Sequence, residues 1–372
     1  MPKVKFDDAK TSLNSFSGRV AMRSACDRAL DALPGGFHGL AAAVSGKKVM
    51  ATGCSGFFGI WVLSALDALR GRGVEVQALI ASSGPERFLA EHPRWRDERW
   101  ARWSGPDAMS EARFDFALGM GARSDNAHNM ADPVGSVASM VASCAALTKA
   151  SQRVGARMLF VSSGAVYGPR VLSQGPCREE QAEVAPARFD RRGAYAQGKR
   201  CCETLVASLD DLDWVAARPF AFIGPHLPLD RHFAAGNFMA DARLGRAPRL
   251  LGDGSARRSY MHPSDMAAWL LWLMALGPRG AAVNVGGGEP LSMLELAHMV
   301  AQAWGDGAGE VVKEPQCQIA NPPDPDFFVP DLERAMGLGL RQSFSTRESI
   351  DDALFWLAAS GGAWRLPQGV HS

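Results

Sequence analysis

Thr52-Gly53-Cys54-Ser55-Gly56-Phe57-Phe58-Gly59 decides how this chain is read. It follows a strand-like run, Lys47 to Ala51, and precedes Ile60 to Leu69, where apolar residues recur at helical spacing. Strand, glycine turn and helix open a dinucleotide-binding β-α-β unit, and Val74 to Ile80 reads as its second strand. Each glycine of the G-x-x-G-x-x-G spacing has a physical task. They allow a tight turn out of the strand, close approach of backbone to a pyrophosphate, and close packing of helix on strand. Phosphate charge then meets the free N–H groups at the helix N-terminus. The candidate cofactor-binding residues of this turn are Gly53, Ser55, Gly56, Phe57, Phe58 and Gly59.

Working outward, Phe114 to Leu118, Arg157 to Ser162 and Trp214 to Ala217 are further short apolar strands. Helical stretches, Ser136 to Val154 and Lys199 to Leu209, lie between them. This alternation predicts an α/β fold, a Rossmann-type doubly wound parallel sheet. After Phe220 the alternation fades, although Asp265 to Leu276 and Met293 to Trp304 keep helical spacing. The expected organisation is an N-terminal extension (1–45), a dinucleotide-binding domain (46–218), and a smaller C-terminal α/β substrate lobe made mainly from 219–372. Within the extension, Arg23 to Leu33 suits a short helix broken by Pro34-Gly35-Gly36. Docking on the main body and disorder both remain open for it.

Bulk properties exclude several classes. The 40 basic and 39 acidic residues nearly cancel, which argues against a nucleic-acid partner. Seven cysteines without a C-x-x-C pair read as reduced thiols, and so as a cytoplasmic protein. No stretch reads as the roughly 20 apolar residues of a membrane span, and the N-terminus shows no secretory apolar region. No metal site is expected.

A second segment, Tyr195-Ala196-Gln197-Gly198-Lys199, sets a phenol and an ammonium one helical turn apart. A free phenol is a poor base at neutral pH, and a nearby cation stabilises its phenolate. Upstream, Phe160-Val161-Ser162-Ser163-Gly164-Ala165-Val166-Tyr167-Gly168 runs off a strand into a turn, where a serine can bond the same substrate oxygen. At the tip of the second strand, Ser82 and Arg87 replace the acidic residue that would bind a ribose diol. The cofactor is therefore NAD or NADP, with a lean to NADP; the alternative for Arg87 is a solvated helix residue.

These residues resemble the extended short-chain dehydrogenase/reductases, in particular the nucleotide-sugar epimerase/dehydratase branch. The resemblance runs from about Lys47 to Trp304 and rests on TGCSGFFG (52–59), VSSGAVYG (161–168), YAQGK (195–199), ARPFAFIGP (217–225) and GDGSARRSYMHPSD (252–265). It implies that Tyr195 is the general acid/base, that Lys199 binds the nicotinamide ribose and lowers the tyrosine pKa, and that Ser163 orients the reacting oxygen. It places Ser162 and Pro219 at the cofactor. It assigns Asn237 and Phe238 to the substrate nucleotide, and Arg258 to the substrate diphosphate. It further implies a homodimer through the two helical stretches 136–154 and 199–209. His226, Arg231 and His232 lie near the expected sugar site.

The departures narrow the chemistry. Sugar 4,6-dehydratases of this family carry Asp-Glu after the strand-end hydroxyl, where this chain has Gly164-Ala165. Ala221 stands where epimerases often place an asparagine. What remains is hydride transfer at a sugar carbon, C4 by expectation, with a nucleotide sugar as partner. A 4-keto-sugar reductase is favoured. A 4-epimerase with tightly bound NAD and a non-catalytic dinucleotide-binding sensor are the alternatives.

Overall fold

The computed structural model describes residues 16–121, 126–185, 188–229, 233–304, 311–313 and 326–359. Seven strands make the main sheet: β1 (Lys47–Thr52), β2 (Val76–Ala81), β3 (Ala101–Ser104), β4 (Phe116–Gly119), β5 (Arg157–Val161), β6 (Trp214–Pro219) and β7 (Ala281–Val285). Their order is 7-6-5-4-1-2-3 and every pairing is parallel. The order reverses between β1 and β4, and ligands of such sheets bind at the carboxyl ends of the strands flanking that point. β4 is buried along its whole length and β5 along all but its first residue, as expected of strands covered on both faces. The doubly wound sheet anticipated from the alternation is thus present, with β3 and β7 added.

Among the described residues the longer helices are α1 (Phe16–Asp31), α2 (Gly36–Val44), α3 (Phe57–Gly71), α4 (Pro133–Val154), α5 (Ala194–Ala207), α6 (Ala234–Arg243), α7 (Pro263–Leu276), α8 (Met293–Trp304) and α9 (Thr346–Ala359), besides shorter helices and turns. α4 and α5 pack together on one face, while α3 and α7 cover the other. Asp132 caps α4 by accepting from the Gly135 N–H (2.9 Å), and Pro133 fills the first helical position, where no N–H is needed. Pro133–Val154 is, by length and composition, apolar enough to cross a membrane, which departs from the sequence-based expectation. Here Met140, Cys144, Leu147 and Ala150 turn inward and are buried in the core.

Outside α3 and α7 lies a further layer. α7 is buried from Pro263 through Met274, on the face away from the sheet as well as toward it. A helix apolar all round must be covered all round. α1 and α2 supply that cover, with Cys26, Leu30 and Leu40 fully buried against the same core. Arg28 of α1 also pairs with Glu348 (2.9 Å) and lies 4.1 Å over the Phe344 ring, which ties the extension to the start of α9. The described part of the extension is docked.

The smaller lobe packs α6, α8 and α9 around Phe238, Met239, Leu296, Val300, Leu354 and Trp356. α7 and β7 lie beyond residue 219 yet belong to the main body, so the lobes interleave along the chain.

Candidate active site

The glycine turn sits at the carboxyl end of β1, facing the end of β4. Gly53 has φ +77°, and a Cβ there would lie 2.5 Å from the Met120 carbonyl oxygen. A Cβ on Gly59 would lie 2.2 Å from the Cys54 carbonyl oxygen, so α3 can approach the turn only without one. Gly56 differs. Its φ is an ordinary −101°, and a Cβ would meet nothing closer than the Gly53 oxygen at 3.7 Å. The fold itself does not require glycine at 56, whereas a ligand approaching the backbone would. Ser55 and Gly56 are exposed at the tip, and no side chain caps α3, whose first N–H groups remain available for an anion. Ser162, at the end of β5, adds a buried hydroxyl with no hydrogen-bond partner among the described residues. An unspent cradle and an orphaned hydroxyl at the switch point fit a dinucleotide.

α5 delivers the second set. Tyr195 and Lys199 occupy successive turns, and the ammonium lies 5.9 Å from the centre of the phenol ring. Lys199 is 3% exposed and donates to the Val161 carbonyl (2.7 Å), which fixes the amine at the end of β5. Burial lowers its pKa from 10.5 to about 8, and the Glu203 carboxylate one turn further on acts in the opposite direction. Contrary to the lowering expected from Lys199, burial pushes the Tyr195 phenol up to about 12, partly offset by a hydrogen bond with Ser163. Ser163 caps the 3-10 turn Gly164–Tyr167, its Oγ accepting from the Ala165 N–H (3.1 Å). The structure therefore brings Ser162, Ser163, Tyr195 and Lys199 to one strand end.

Residues 49–286 match the profile described as the NAD dependent epimerase/dehydratase family. The chain belongs to that family. Among curated relatives it is 26% identical over 326 residues to UDP-glucuronic acid decarboxylase 6 of Arabidopsis thaliana, covering 82% of this chain and 87% of that one. To UDP-glucuronic acid decarboxylase 5 of the same plant it is 31% identical over 232 residues, covering 59% of this chain and 61% of that protein. Solved structures share the fold. A UDP-glucose 4-epimerase of Thermotoga maritima, determined with UDP-glucose, has a TM-score of 0.67 at 20% identity, over 83% of this chain and 98% of its own. A dTDP-glucose 4,6-dehydratase of Streptomyces venezuelae, determined with NAD, has 0.68 at 22% identity, over 85% and 98%.

In this epimerase/dehydratase-family chain the other predicted residues are spread around the same cleft or away from it. Pro219 is buried at the end of β6, beside Val285. Ser82 follows β2 and its N–H is committed to the Ser104 carbonyl (3.0 Å). Arg87 is 78% exposed and paired with Glu91 (3.0 Å), the environment of a solvated helix residue. Asn237 is half-buried on α6, whereas the Phe238 ring is spent on the core of the small lobe. His226 has a positive φ of 66° and packs on Trp356, with centroids 4.5 Å apart. Arg231 and His232 lie outside the described residues. Among the described residues no cluster of metal-ligating side chains occurs.

Several residues at the site escaped the sequence reading. Phe220 and Phe328 pack with their ring centres 4.6 Å apart and tilted by 37°, and they close over Gly164, where a Cβ would sit 2.7 Å from Phe328 and 3.1 Å from Phe220. Behind them, Tyr167 donates to Asn284 Oδ1 (2.6 Å) and accepts from Arg218 (3.1 Å), and Arg218 pairs with Glu203 (2.8 Å). That buried network joins α5 to the turn bearing Ser163. The signal was thin: Asn284 and Phe328 come from segments 117 and more residues downstream of Tyr167. Arg258 lies on a two-residue strand, with its guanidinium 5.6 Å over the Phe328 ring and ion-paired to Asp326.

Proposed function

We propose that the chain is a nicotinamide-dependent oxidoreductase that transfers hydride at C4 of a nucleotide sugar, working chiefly as a 4-keto-sugar reductase. The observation that carries this reading is the meeting of Ser163, Tyr195 and Lys199 at the end of β5, with the Tyr195 phenol hydrogen-bonded with Ser163 and the Lys199 ammonium 5.9 Å from its ring. A protonated phenol beside the reacting oxygen is a proton donor in waiting, which is what reduction of a carbonyl requires. The nicotinamide supplies the hydride when bound. Ser163 hydrogen-bonds and orients the carbonyl oxygen, and Tyr195 gives that oxygen its proton. Lys199, still largely charged at neutral pH, stabilises the phenolate left behind. Gly53, Ser55, Gly56, Phe57, Phe58 and Gly59 would hold the dinucleotide, with Ser162 at its reactive end. Gly164 and Ala165 offer no acid or base for elimination. The nucleotide-sugar class is supported by the names of the relatives and solved structures.

Arg87 bears on the cofactor. Because it pairs with Glu91 at the surface, the lean to NADP loses its support, and NAD is the better reading. That same observation favours a second reading, a 4-epimerase that retains its NAD. Pairing of α4 and α5 across a two-fold axis into a homodimer, and a reducing cytoplasmic setting for the free thiols Cys26, Cys54, Cys144, Cys177, Cys201 and Cys202, complete the proposal.

The test is to denature the purified protein and weigh any dinucleotide released. Stoichiometric NAD selects the epimerase. An empty protein that binds NADH or NADPH selects the reductase, and one that binds neither overturns both. Tyr195→Phe separates enzyme from sensor, since only an enzyme loses turnover while keeping its dinucleotide affinity.

A further inference from the structure

We propose that Asp326 is a specificity-determining residue of the anion site, an internal counter-ion that Arg258 must release before a nucleoside diphosphate can bind. The inference rests on the reading of this cleft as a nucleotide-sugar site and goes beyond it, because nothing in that reading gives Asp326 a role.

The geometry is fixed by backbone. The strand Arg257–Arg258 runs between Leu291–Ser292 and Phe327–Phe328, with Arg258 in register with Phe328. The Arg257 N–H donates to the Asp326 carbonyl (2.8 Å), and the Phe327 N–H donates to the Arg170 carbonyl (3.0 Å). Asp326 is thereby held two residues before Phe328, the aromatic that carries the guanidinium. Its carboxylate accepts from Arg258 Nη2, while Nη1 is turned back on the Arg257 carbonyl (2.8 Å) and the Asp326 carbonyl (3.4 Å). The neighbouring Arg257 is engaged elsewhere, with Glu295 (3.5 Å).

This arginine also belongs to the reactive end of the cleft. Phe328 lies under the Arg258 guanidinium, 5.6 Å away, and also closes over Gly164, next to Ser163. An anion on Arg258 is therefore joined to the catalytic turn by a single aromatic ring. The Arg258 side chain is about a quarter exposed and that of Asp326 is 56% exposed, so the pair can open without unfolding. A carboxylate in this position stands where a phosphate oxygen would go. Planar, two-pronged recognition suits both anions, and the guanidinium cannot serve both fully. The protein's own carboxylate then competes with the ligand and repels its charge.

The experiment is calorimetric titration of UDP into the NADH-loaded full chain and three variants: Asp326→Asn, Arg258→Gln and the double variant. Asp326→Asn should bind UDP about three- to tenfold tighter, as expected from freeing one partly exposed pair and removing a like charge. Arg258→Gln should bind at least about tenfold more weakly. In the double variant the gain from Asp326→Asn should shrink to what removal of a like charge alone supplies, and an undiminished gain overturns the proposal, because it would not pass through Arg258. Equal or weaker binding by Asp326→Asn overturns the proposal while leaving the nucleotide reading of Arg258 intact. Unchanged binding by Arg258→Gln overturns both. If UDP does not bind, dTDP, CDP and GDP are titrated in turn, and failure of all four on wild type and Asp326→Asn alike also overturns both.

Discussion

Replacing Lys199 by methionine should make the protein more stable at neutral pH while removing its activity. The folded ammonium titrates at about 8 because burial strips its hydration, against 10.5 for a free lysine. At about 1.4 kcal/mol per tenfold change in proton affinity, keeping Lys199 charged inside the fold costs about 3 kcal/mol at pH 7. Lys199→Met removes that cost and keeps an unbranched apolar stem. It also takes the donor away from the Val161 carbonyl, which costs about 1–2 kcal/mol. The net expectation is a variant about 1–2 kcal/mol more stable at pH 7. The sign reverses with pH. Between about 8 and 10.5 the unfolded chain binds a proton that the folded chain does not, so wild-type stability rises through this window relative to the variant. At pH 10.5 the methionine should therefore be the less stable by the lost hydrogen bond alone. Urea unfolding followed by tryptophan fluorescence at pH 7 and pH 10.5 measures both differences. A difference between variant and wild type that is the same at both pH values refutes the reasoning, as does a destabilised variant at pH 7.

The glycine turn and its surroundings offer sharper contrasts. Gly53→Ala forces a positive φ of 77° on a side chain and drives Cβ to 2.5 Å from the Met120 oxygen, so thermal melts should show a loss of about 2 kcal/mol or more. Gly56→Ala should melt like wild type yet lose at least about tenfold in NADH affinity, read by nucleotide fluorescence, since a ligand and not the fold needs that space. Gly164→Asp should destabilise by about 1–3 kcal/mol through overpacking against Phe328 and Phe220, and adding Phe328→Ala should recover most of it in the same melts. A chain beginning at Ser45 should aggregate, because α7 loses its outer cover; a soluble, monodisperse product by light scattering would contradict that account.

What could be read from the sequence was whatever one element displays by itself. The glycines of 53–59 sit between a strand and a helix within 25 residues, and Gly53 and Gly59 answer constraints of the turn itself, so the turn and its strand-end position were legible. Tyr195 and Lys199 share one helix, so their common face followed from spacing alone. Ser163 was legible as the residue leaving a strand. Asp326, Phe328, Asn284 and Glu203 were not, because what matters about each is a partner on another segment. Phe328 meets Gly164 across more than 160 residues, and nothing near either residue announces the other. Arg87 shows why a cation near a strand tip reads two ways from sequence: Glu91, one helical turn away, pairs with it at the surface, as for a solvated helix residue.

The N-terminal layer marks a signal that was present but sat in the wrong place to be noticed. Residues 1–45 carry no motif, and Arg23 to Leu33 suggests only a short helix. The demand for a cover was written instead more than 200 residues away, in Pro263–Leu276, whose sequence PSDMAAWLLWLMAL has no polar stripe. A helix against one face of a sheet keeps a polar face toward water, and this one has none. Trp269 and Trp272 in the middle of such a helix could be satisfied only by another layer, and α1 and α2 lay Leu30, Leu40 and Cys26 over it. Arg28 then reaches past α7 to Glu348 and the Phe344 ring at the start of α9. α9 packs against α6 and α8 in the lobe that carries the candidate nucleotide residues, so the extension braces the sheet and the smaller lobe from the side opposite α4 and α5. An apolar helix without a polar face is therefore a statement about the rest of the chain: some other segment, however featureless, has to lie on it.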